Sequence, residues 1–283
     1  MFYFKSIRMF FILPLVFMLV LFIVLQTSVM NEMLMNSAMI PIRDDKLNGP
    51  YISIDDPRVI EKLRSFYLVP PSNKTDLNLD NPEIIDTSMG QAEKIRQILG
   101  NKKNGFFIEC GALDGEIRSN TLNFERFHGW TGLLIEADPL NYADMLKKNR
   151  KAWLSQTCLS IHPYPEIVSF EQNHNIGKIS SHRPGSKHKG YTDVQCFPFY
   201  SYLLALNIKQ VDYFSLDVEG SELDVLKTIP FDKVDIKTLS VEFAHVQSGK
   251  QAILDFMASK NYRYHSNVTH PDWLANDFIF TKI

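Results

Sequence analysis

The sequence predicts an α/β fold in which helices cover both faces of a mostly parallel sheet. Short apolar runs rich in β-branched and aromatic residues, such as Phe106–Cys110 and Val211–Leu216, alternate with segments of helical periodicity. Acidic residues or glycines directly follow several of these runs. Because the carboxyl ends of parallel strands meet at one edge of a sheet, this pattern predicts a ligand site at that edge.

The length and composition favour one sizeable globular domain with an appendage. The chain has 283 residues, of which 45% are apolar and 22% are charged, and its net charge is −2. Without a basic surplus or a long run of like charges, nucleic acid is not expected as a partner. The cysteines Cys110, Cys158 and Cys196 show no spacing typical of a zinc site, and we expect three buried thiols, with a Cys158–Cys196 bridge as the alternative.

The apolar run at 9–30 predicts a helix that spans a membrane, since about 20 residues cross a bilayer. Lys5 and Arg8 precede the run, and the next basic residue is Arg43. The positive-inside rule therefore predicts a cytosolic tail at 1–8 and a lumenal remainder. A cleaved signal peptide is the alternative, but its apolar region would have only about 7–15 residues, so we favour an uncleaved signal anchor.

Residues 31–87 predict a lumenal stem that precedes a globular domain at 88–283. The stem contains six prolines and many Asn and Asp residues, with one candidate helix at Val59–Leu68. Asn73 and Asn267 begin N-glycosylation sequons, which are meaningful only in the lumen.

Helices and strands alternate from Ser88 to the end of the chain. Ser88 and Gln91 form a capping box, and Gly100 is typical of a helix C-terminus. Pro139 is favourable in the first turn of a later helix. Further strands are predicted over Ala152–Leu159, Ile167–Phe170, Thr192–Pro198, Ile236–Phe243 and Asn276–Lys282, and further helices over Phe199–Leu206, Ser221–Ile229 and Lys250–Lys260.

The stretch 106–139 predicts a strand, a glycine turn, a helix and a second strand. Gly111 and Gly115 allow a sharp turn and let a ligand lie against bare main chain. The second strand, Thr131–Ile135, ends in Glu136. A carboxylate at that position can accept hydrogen bonds from both hydroxyls of a ribose, as in nucleotide-binding α/β domains.

Residues 171–191 are polar, rich in glycine and histidine, and without periodicity, which predicts an exposed loop. A plain solvated loop is the favoured interpretation, and a loop that rims the active cleft is the alternative. His174, His182 and His188 lack the spacing of metal ligands, so no metal site is expected there or elsewhere.

Three motifs carry a resemblance to a known family: FIECGALDG, LLIEADP and YFSLDVEGSELDVL. With them, the chain from about Gly105 to its end resembles the FkbM-type S-adenosylmethionine-dependent methyltransferases. The pieces SNTL and GWTGLLIE resemble the animal, Star-like, membrane-anchored branch of that family. The resemblance implies a Rossmann-like methyltransferase fold, with a seven-stranded, mostly parallel sheet whose last strand is antiparallel.

The resemblance also implies a cofactor site for S-adenosylmethionine. Matched residue by residue, it assigns the methionine end of the cofactor to Glu109, Gly111 and Gly115, its ribose to Glu136, and the reacting centre to Asp217 and Glu219.

A hydroxyl acceptor would gain from a base beside the reacting centre. Glu219 is the first candidate, and the alternative is that its carboxylate caps the next helix. Asp217 is costly at the end of a buried strand unless something binds it, which favours a function. His245 is the second candidate base, although a hydrogen-bonded histidine at the sheet edge is the preferred interpretation.

Two functions follow from these observations. The favoured one, which the Star-like resemblance implies, is a single-pass protein of the secretory pathway that acts in export and trafficking of membrane-bound growth-factor precursors or other cargo, between endoplasmic reticulum, Golgi and endosome. The alternative is an active O-methyltransferase that modifies a lumenal sugar or a small hydroxyl compound.

Overall fold

The structure is a computed structural model that describes residues 45–272 and 275–283. The expected cytosolic tail and membrane anchor, at 1–8 and 9–30, lie outside the described residues. Within the described part of the chain, no helix is both long and apolar enough to cross a bilayer.

Seven α-helices and eleven strands form the described chain. The helices are α1 (Pro57–Lys62), α2 (Gln91–Ile98), α3 (Leu122–His128), α4 (Pro139–Met145), α5 (Phe199–Leu206), α6 (Glu222–Thr228) and α7 (Lys250–Ser259). The strands are β1 (Phe106–Cys110), β2 (Thr131–Glu136), β3 (Trp153–Gln156), β4 (Cys158–Leu159), β5 (Glu166–Glu171), β6 (Lys178–Ile179), β7 (Tyr191–Phe197), β8 (Gln210–Leu216), β9 (Asp235–Glu242), β10 (Tyr262–Thr269) and β11 (Asn276–Lys282).

The larger of two sheets has seven strands in the order β10-β11-β9-β8-β1-β2-β3. β1 pairs in parallel with β2 and β8, whereas β11 runs antiparallel to both of its neighbours. The predicted seven-stranded, mostly parallel sheet with an antiparallel last strand is thereby confirmed. The sequence did not predict β10, because Tyr262 and Val268 are its only buried residues and the strand is otherwise polar or exposed.

Successive residues of the central strands enter two separate cores on opposite faces of the sheet. In β1, Ile108 and Cys110 belong to one core and Phe107 belongs to the other. Ile135 and Leu134 of β2 divide in the same way, and all five residues are at most 3% exposed. Burial on both faces explains why these strands are continuous apolar runs in the sequence.

The compact unit begins at Asp45, so most of the expected stem belongs to the globular domain. Val59 of α1 and Leu63 in the turn after it are fully buried in the same core as the strands. Val69 then pairs with Leu154 of β3 through two backbone hydrogen bonds of 2.9 and 3.0 Å. The prolines of this segment separate short packed elements, whereas the sequence predicted a stem outside the globular domain.

A second sheet, in the order β4-β7-β5-β6, is inserted between β3 and α5. Cys158 of β4 lies opposite Cys196 of β7, and the two form a disulfide. Cys110 is buried and free. The expectation of three thiols is therefore wrong and the alternative bridge is correct. The two cysteines are 38 positions apart, and the sequence gave no sign that their strands pair.

The cysteine pattern makes a direct chemical prediction. The full-length chain, denatured without reductant, should take up one maleimide, at Cys110, and three after reduction. Reduction should also lower the free energy of unfolding by about 2–4 kcal/mol, because it frees a long loop in the unfolded chain. Mass spectrometry and urea unfolding measure the two effects. Uptake of three maleimides before reduction would contradict the disulfide.

Candidate active site

A cleft enclosing about 920 Å³ of space, part of it open to solvent, lies at the carboxyl ends of β1, β2 and β8. Its floor includes the residues with which these strands end, and the small sheet supplies Phe170 and Ile179 on another side. This is the edge at which the sequence places a ligand site. Five predicted residues line the cleft: Glu109, Gly111, Glu136, Asp217 and Glu219.

Gly111 brings the ends of β1 and β8 together. It has φ +81°, and a Cβ atom there would lie 1.9 Å from the carbonyl oxygen of Asp217. Gly115, by contrast, is not among the residues that line the cleft. A Cβ atom on Gly115 would lie 2.8 Å from Cγ of Met145, and its carbonyl oxygen accepts a hydrogen bond from Arg150. Gly115 therefore packs the turn, whereas the resemblance implied that it holds cofactor.

Glu109 is fully engaged by the loop that follows the glycine turn. Its carboxylate accepts hydrogen bonds from Ser119 Oγ at 2.8 Å, from the Asn120 backbone N–H at 2.6 Å and from Thr121 Oγ1 at 2.5 Å. Burial raises the pKa of Glu109, while the Arg150 charge and these three donors favour its ionised form. Glu109 thus orients the loop from inside the cleft wall.

Asn120 is a cleft residue that the sequence analysis did not assign to the site. Its Nδ2 donates to Ser215 Oγ at 2.9 Å, and the side chain is 8% exposed. Its Oδ1 is buried without a hydrogen-bond partner among the described residues. A buried acceptor of this kind is costly unless a donor reaches it, so Asn120 offers a position for a ligand N–H or O–H group. Asn120 lies in a loop without periodicity, so the sequence offered no signal that it belongs to the site.

Glu136 lies at the end of β2, as the sequence predicts, and is 5% exposed. Its two carboxylate oxygens accept hydrogen bonds from the backbone N–H groups of Leu113 and Asp138, both at 2.7 Å. Burial raises the pKa of Glu136 to about 8. Because each carboxylate oxygen can accept more than one hydrogen bond, Glu136 can still receive ligand hydroxyls.

Three carboxylates lie close together where β8, α6 and β9 meet. Carboxylate oxygens of Asp217, Glu222 and Glu242 all lie within 4.8 Å of one another. Burial raises their pKa values to about 6, 7 and 9, and negative charges add to the rise: that of Glu109 for Asp217, that of Asp217 for Glu222, and that of Glu222 for Glu242. Oδ1 of Asp217 is also buried without a hydrogen-bond partner among the described residues. The site therefore favours a cationic ligand or protonated acids; the expected absence of a metal stays a prediction.

Glu219 and His245 form a pair at the edge of this acidic group. Glu219 Oε2 lies 2.7 Å from Nδ1 of His245, whose side chain is 55% exposed. Burial, followed by the charge of Asp217, raises the pKa of Glu219 to about 8. Glu219 has φ +56°, a conformation that is uncommon outside glycine and is found at functional sites.

Glu222, and not Glu219, braces the start of α6. Its carboxylate accepts hydrogen bonds from the backbone N–H groups of Val218, at 2.8 Å, and of Gly220, at 3.0 Å. The alternative role for Glu219 as a helix cap is thus filled by its neighbour. The Glu219 carboxylate instead contacts His245 and lines the cleft.

The loop predicted at 171–191 is more than a solvated loop, and the part of it after Glu171, residues 172–191, is called the rim segment. His174, Asn175, Gly177 and Ile179 line the cleft, so the favoured interpretation of this segment is wrong and the alternative is correct. Asn141 of α4 holds it in place, since its Nδ2 donates to the carbonyl oxygen of His174 at 3.0 Å.

Arg118 is a further cleft residue that the sequence analysis missed. It has φ +56° and lines the cleft, and among the described residues no carboxylate forms an ion pair with it. Its charge favours ionised Asp217 and Glu219 from a distance. Arg118 follows a glycine turn without any motif of its own, so the sequence offered no signal for it.

The strand order and a cleft at the switch between β1 and β8 define the Rossmann-like methyltransferase class of folds. The sequence profile of the methyltransferase FkbM domain matches residues 109–264, more than half of the chain. The chain belongs to this family. The comparison with curated proteins found no match.

Solved structures show remote likeness. A methyltransferase FkbM from Methylobacillus flagellatus is 14% identical with a TM-score of 0.41, and the match covers 63% of this chain and 43% of that chain. The chain therefore spans less than half the length of that relative. The magnesium protoporphyrin IX methyltransferase from Synechocystis, with bound S-adenosylmethionine, is 8% identical with a TM-score of 0.41, and the match covers 69% and 81% of the two chains. Family membership rests on the sequence profile and not on these superpositions.

A methyltransferase family implies S-adenosylmethionine, and the hydrogen-bonding and charged groups of the cleft fit this cofactor. The cofactor carries an ammonium group, a sulfonium, a carboxylate and two ribose hydroxyls. Asn120 Oδ1 and Asp217 Oδ1 are buried acceptors without partners among the described residues, which suits an ammonium donor. Glu136 can accept the ribose hydroxyls, and Arg118 can meet the carboxylate.

The acidic group predicts how stability depends on pH. Glu242 keeps its proton in the folded chain up to about pH 9 and loses it near pH 4.5 when unfolded. The folded state binds more protons across this window, so stability falls as the pH rises through it. Glu242→Gln mimics the protonated acid and should exceed the wild type by at least about 1 kcal/mol at pH 9, or about 2–4 °C in Tm.

Thermal unfolding of the full-length chain at pH 5, 7 and 9 measures this difference. The exposed Glu83→Gln exchange is the control and should leave the pH profile unchanged. If the Tm of Glu242→Gln and that of the wild type changed with pH in the same way, the pKa of Glu242 would not be raised in the folded chain.

Proposed function

We propose that the domain binds S-adenosylmethionine and transfers its methyl group to a hydroxyl oxygen. The observation that carries this proposal is the meeting of Asn120, Glu136 and Asp217 around one cleft, with two buried acceptor atoms left without partners among the described residues. A cation with several donors would satisfy these groups together. The family indicates the reaction class, and the cleft supplies acceptor atoms that match the donors of the cofactor.

The protein's own part in such a reaction is alignment and proton transfer. When bound, the cofactor would supply an electrophilic methyl group on a positively charged sulfur, which is the leaving group for an attacking hydroxyl oxygen. Glu219 takes the proton of the acceptor hydroxyl, because its raised pKa makes it a usable base near neutral pH. His245 holds the Glu219 carboxylate at 2.7 Å and leads to solvent. Alignment alone supplies about 7–11 kcal/mol of such a barrier.

Cofactor binding is testable without an acceptor. Calorimetric titration of the full-length chain with S-adenosylmethionine should give micromolar affinity. Glu136→Gln should weaken it by about tenfold or more, since an acceptor oxygen for the ribose hydroxyls is replaced by an amide NH₂ group. The exposed Glu93→Gln exchange is the matched control and should bind as the wild type does. A folded wild-type chain that gives no heat would contradict the cofactor.

Measurements of turnover distinguish the proposed role of Glu219 in proton transfer from a role in cofactor binding. With radiolabelled methyl donor and a panel of sugars and glycans, Glu219→Gln should lower kcat by about 10²–10⁴-fold, because the base is removed. Its affinity for S-adenosylmethionine should stay within about threefold of the wild type. An unchanged kcat would assign the proton to another group.

A second candidate is the trafficking role favoured by the sequence, in which a Star-like, membrane-anchored domain escorts growth-factor precursors or other membrane-bound cargo. The apolar run at 9–30 supports a membrane partner, and the Cys158–Cys196 disulfide supports an oxidising compartment such as the lumen of the secretory pathway. Cargo export in depleted cells distinguishes the two functions. Rescue by the Glu219→Gln variant would favour escort without methyl transfer.

The proposed lumenal placement predicts glycosylation at two exposed sequons. Asn73 and Asn267 are both exposed in the structure. In secretory cells, glycosidase digestion should shift the chain on a gel by two glycans, and Asn73→Gln and Asn267→Gln should each remove one. A chain of unchanged mobility in all of these samples would contradict the lumenal placement.

A further inference from the structure

The rim segment, residues 172–191, is strongly basic in a protein of net charge −2. It carries four lysines and arginines and three histidines, and no aspartate or glutamate. The basic residues are Lys178, Arg183, Lys187 and Lys189, and all four are exposed. Such a concentration of one sign of charge creates a field that attracts anions.

None of these four side chains forms an ion pair with a carboxylate of the described residues. Exposed lysines elsewhere on the domain do so, as in Lys147 with Asp144 at 2.7 Å and Lys227 with Asp224 at 3.1 Å. The rim cations are therefore available to a ligand at no cost in broken internal ion pairs.

The rim segment is attached to the small sheet at the mouth of the cleft. β6 pairs with β5 through Phe170 and Ile179, and the Gln172 backbone N–H donates to the carbonyl oxygen of Gly190 at 2.8 Å. The charge of Lys178, like that of Arg118, reaches the carboxylate of Glu219. Gly177 and Ile179, the neighbours of Lys178 in the chain, line the cleft. A ligand that binds Lys178 therefore lies at the mouth of the cleft that contains Glu219.

Aromatic rings lie among the rim cations. The imidazoles of His182 and His188 stack with centroids 4.6 Å apart, and the ring of Tyr191 meets His182 edge-on, also at 4.6 Å. All of them belong to the rim segment and its junction with β7. Flat ring faces of this kind pack well against the apolar face of a sugar.

We propose that the methyl acceptor is an anionic glycan, whose sulfate or carboxylate groups bind the rim segment while one of its hydroxyls enters the cleft. This inference rests on the proposed methyl transfer and names its substrate class. A glycan carries several hydroxyls on each unit, so many binding registers present one to Glu219, whereas an acidic peptide has few. Anionic lipid is concentrated in the cytoplasmic leaflet, which makes it a poor partner for a lumenal face.

The test measures binding of the full-length chain, in neutral detergent micelles, to immobilised heparin oligosaccharides. The rim variant combines Arg183→Gln, Lys187→Gln and Lys189→Gln. The matched control removes three exposed cations elsewhere, by Lys209→Gln, Lys233→Gln and Arg263→Gln, and so has the same net charge. The rim variant should bind at least about tenfold more weakly at physiological salt, and the control within about twofold of the wild type.

Binding measurements with other ligands distinguish the possible partners. A neutral dextran of equal length should not bind, and polyglutamate and phosphatidylserine vesicles should bind more weakly than heparin. Labelled methyl groups should appear on a sulfated or carboxylated glycan incubated with wild-type chain and S-adenosylmethionine. Tighter binding of polyglutamate or of vesicles, equal weakening in rim variant and control, or no binding of heparin would each overturn the inference.

Calorimetry with S-adenosylmethionine separates this inference from the proposed function. Retained cofactor binding without glycan binding would overturn the acceptor class alone. Glycan binding without cofactor binding would overturn methyl transfer and leave a glycan-binding surface. Thermal unfolding of the rim variant within about 2 °C of the wild type shows that a lost interaction is not a folding defect.

Discussion

The contact between Gly111 and Asp217 holds together the strand ends that carry the site. The backbone N–H of Asp217 donates to the carbonyl oxygen of Cys110 at 3.1 Å, and the N–H of Gly111 donates to Ile135 at 3.1 Å. Three parallel strands thus remain joined beyond their last ladder pairs, and only a residue without a Cβ atom fits between them. Two chain segments start from this junction. One is the turn that leads to the hydrogen-bond donors of Glu109, and the other is the loop that carries Glu219.

The acids around the junction are arranged at an energetic cost. Asp217, Glu222 and Glu242 lie within 4.8 Å of one another, and among the described residues no lysine or arginine forms an ion pair with them. Burial of carboxylates without cations raises their pKa values and makes them hold protons. An arrangement of this kind is favourable only when a cation or a transferable proton belongs to the working state, and methyl transfer from a sulfonium to a hydroxyl has both.

The sequence predicts the central strands and the acids at their ends, because these depend on local patterns. Phe106–Cys110 is predicted because burial on both faces makes it a continuous apolar run. Glu136 is predicted because it is the single acidic residue at the end of such a run. β10 escapes prediction because only two of its residues are buried, and the Cys158–Cys196 bridge escapes because it depends on pairing between distant strands. Asn120 and Arg118 join the site through loop conformation, for which the sequence has no periodic signal.

The charges of the site are divided by position. Carboxylates form the floor of the cleft at the strand ends, while the exposed Lys178 lies between Gly177 and Ile179, which line the cleft. A cationic methyl donor and an anionic acceptor would therefore be drawn to different parts of the same cleft, and each would be repelled from the place of the other. Glu219 lies between the two parts, within reach of Lys178 and Arg118 and in contact with His245. This division gives the proposed methyl donor and acceptor separate places in the cleft, which neither the strand pattern nor the glycine turn alone specifies.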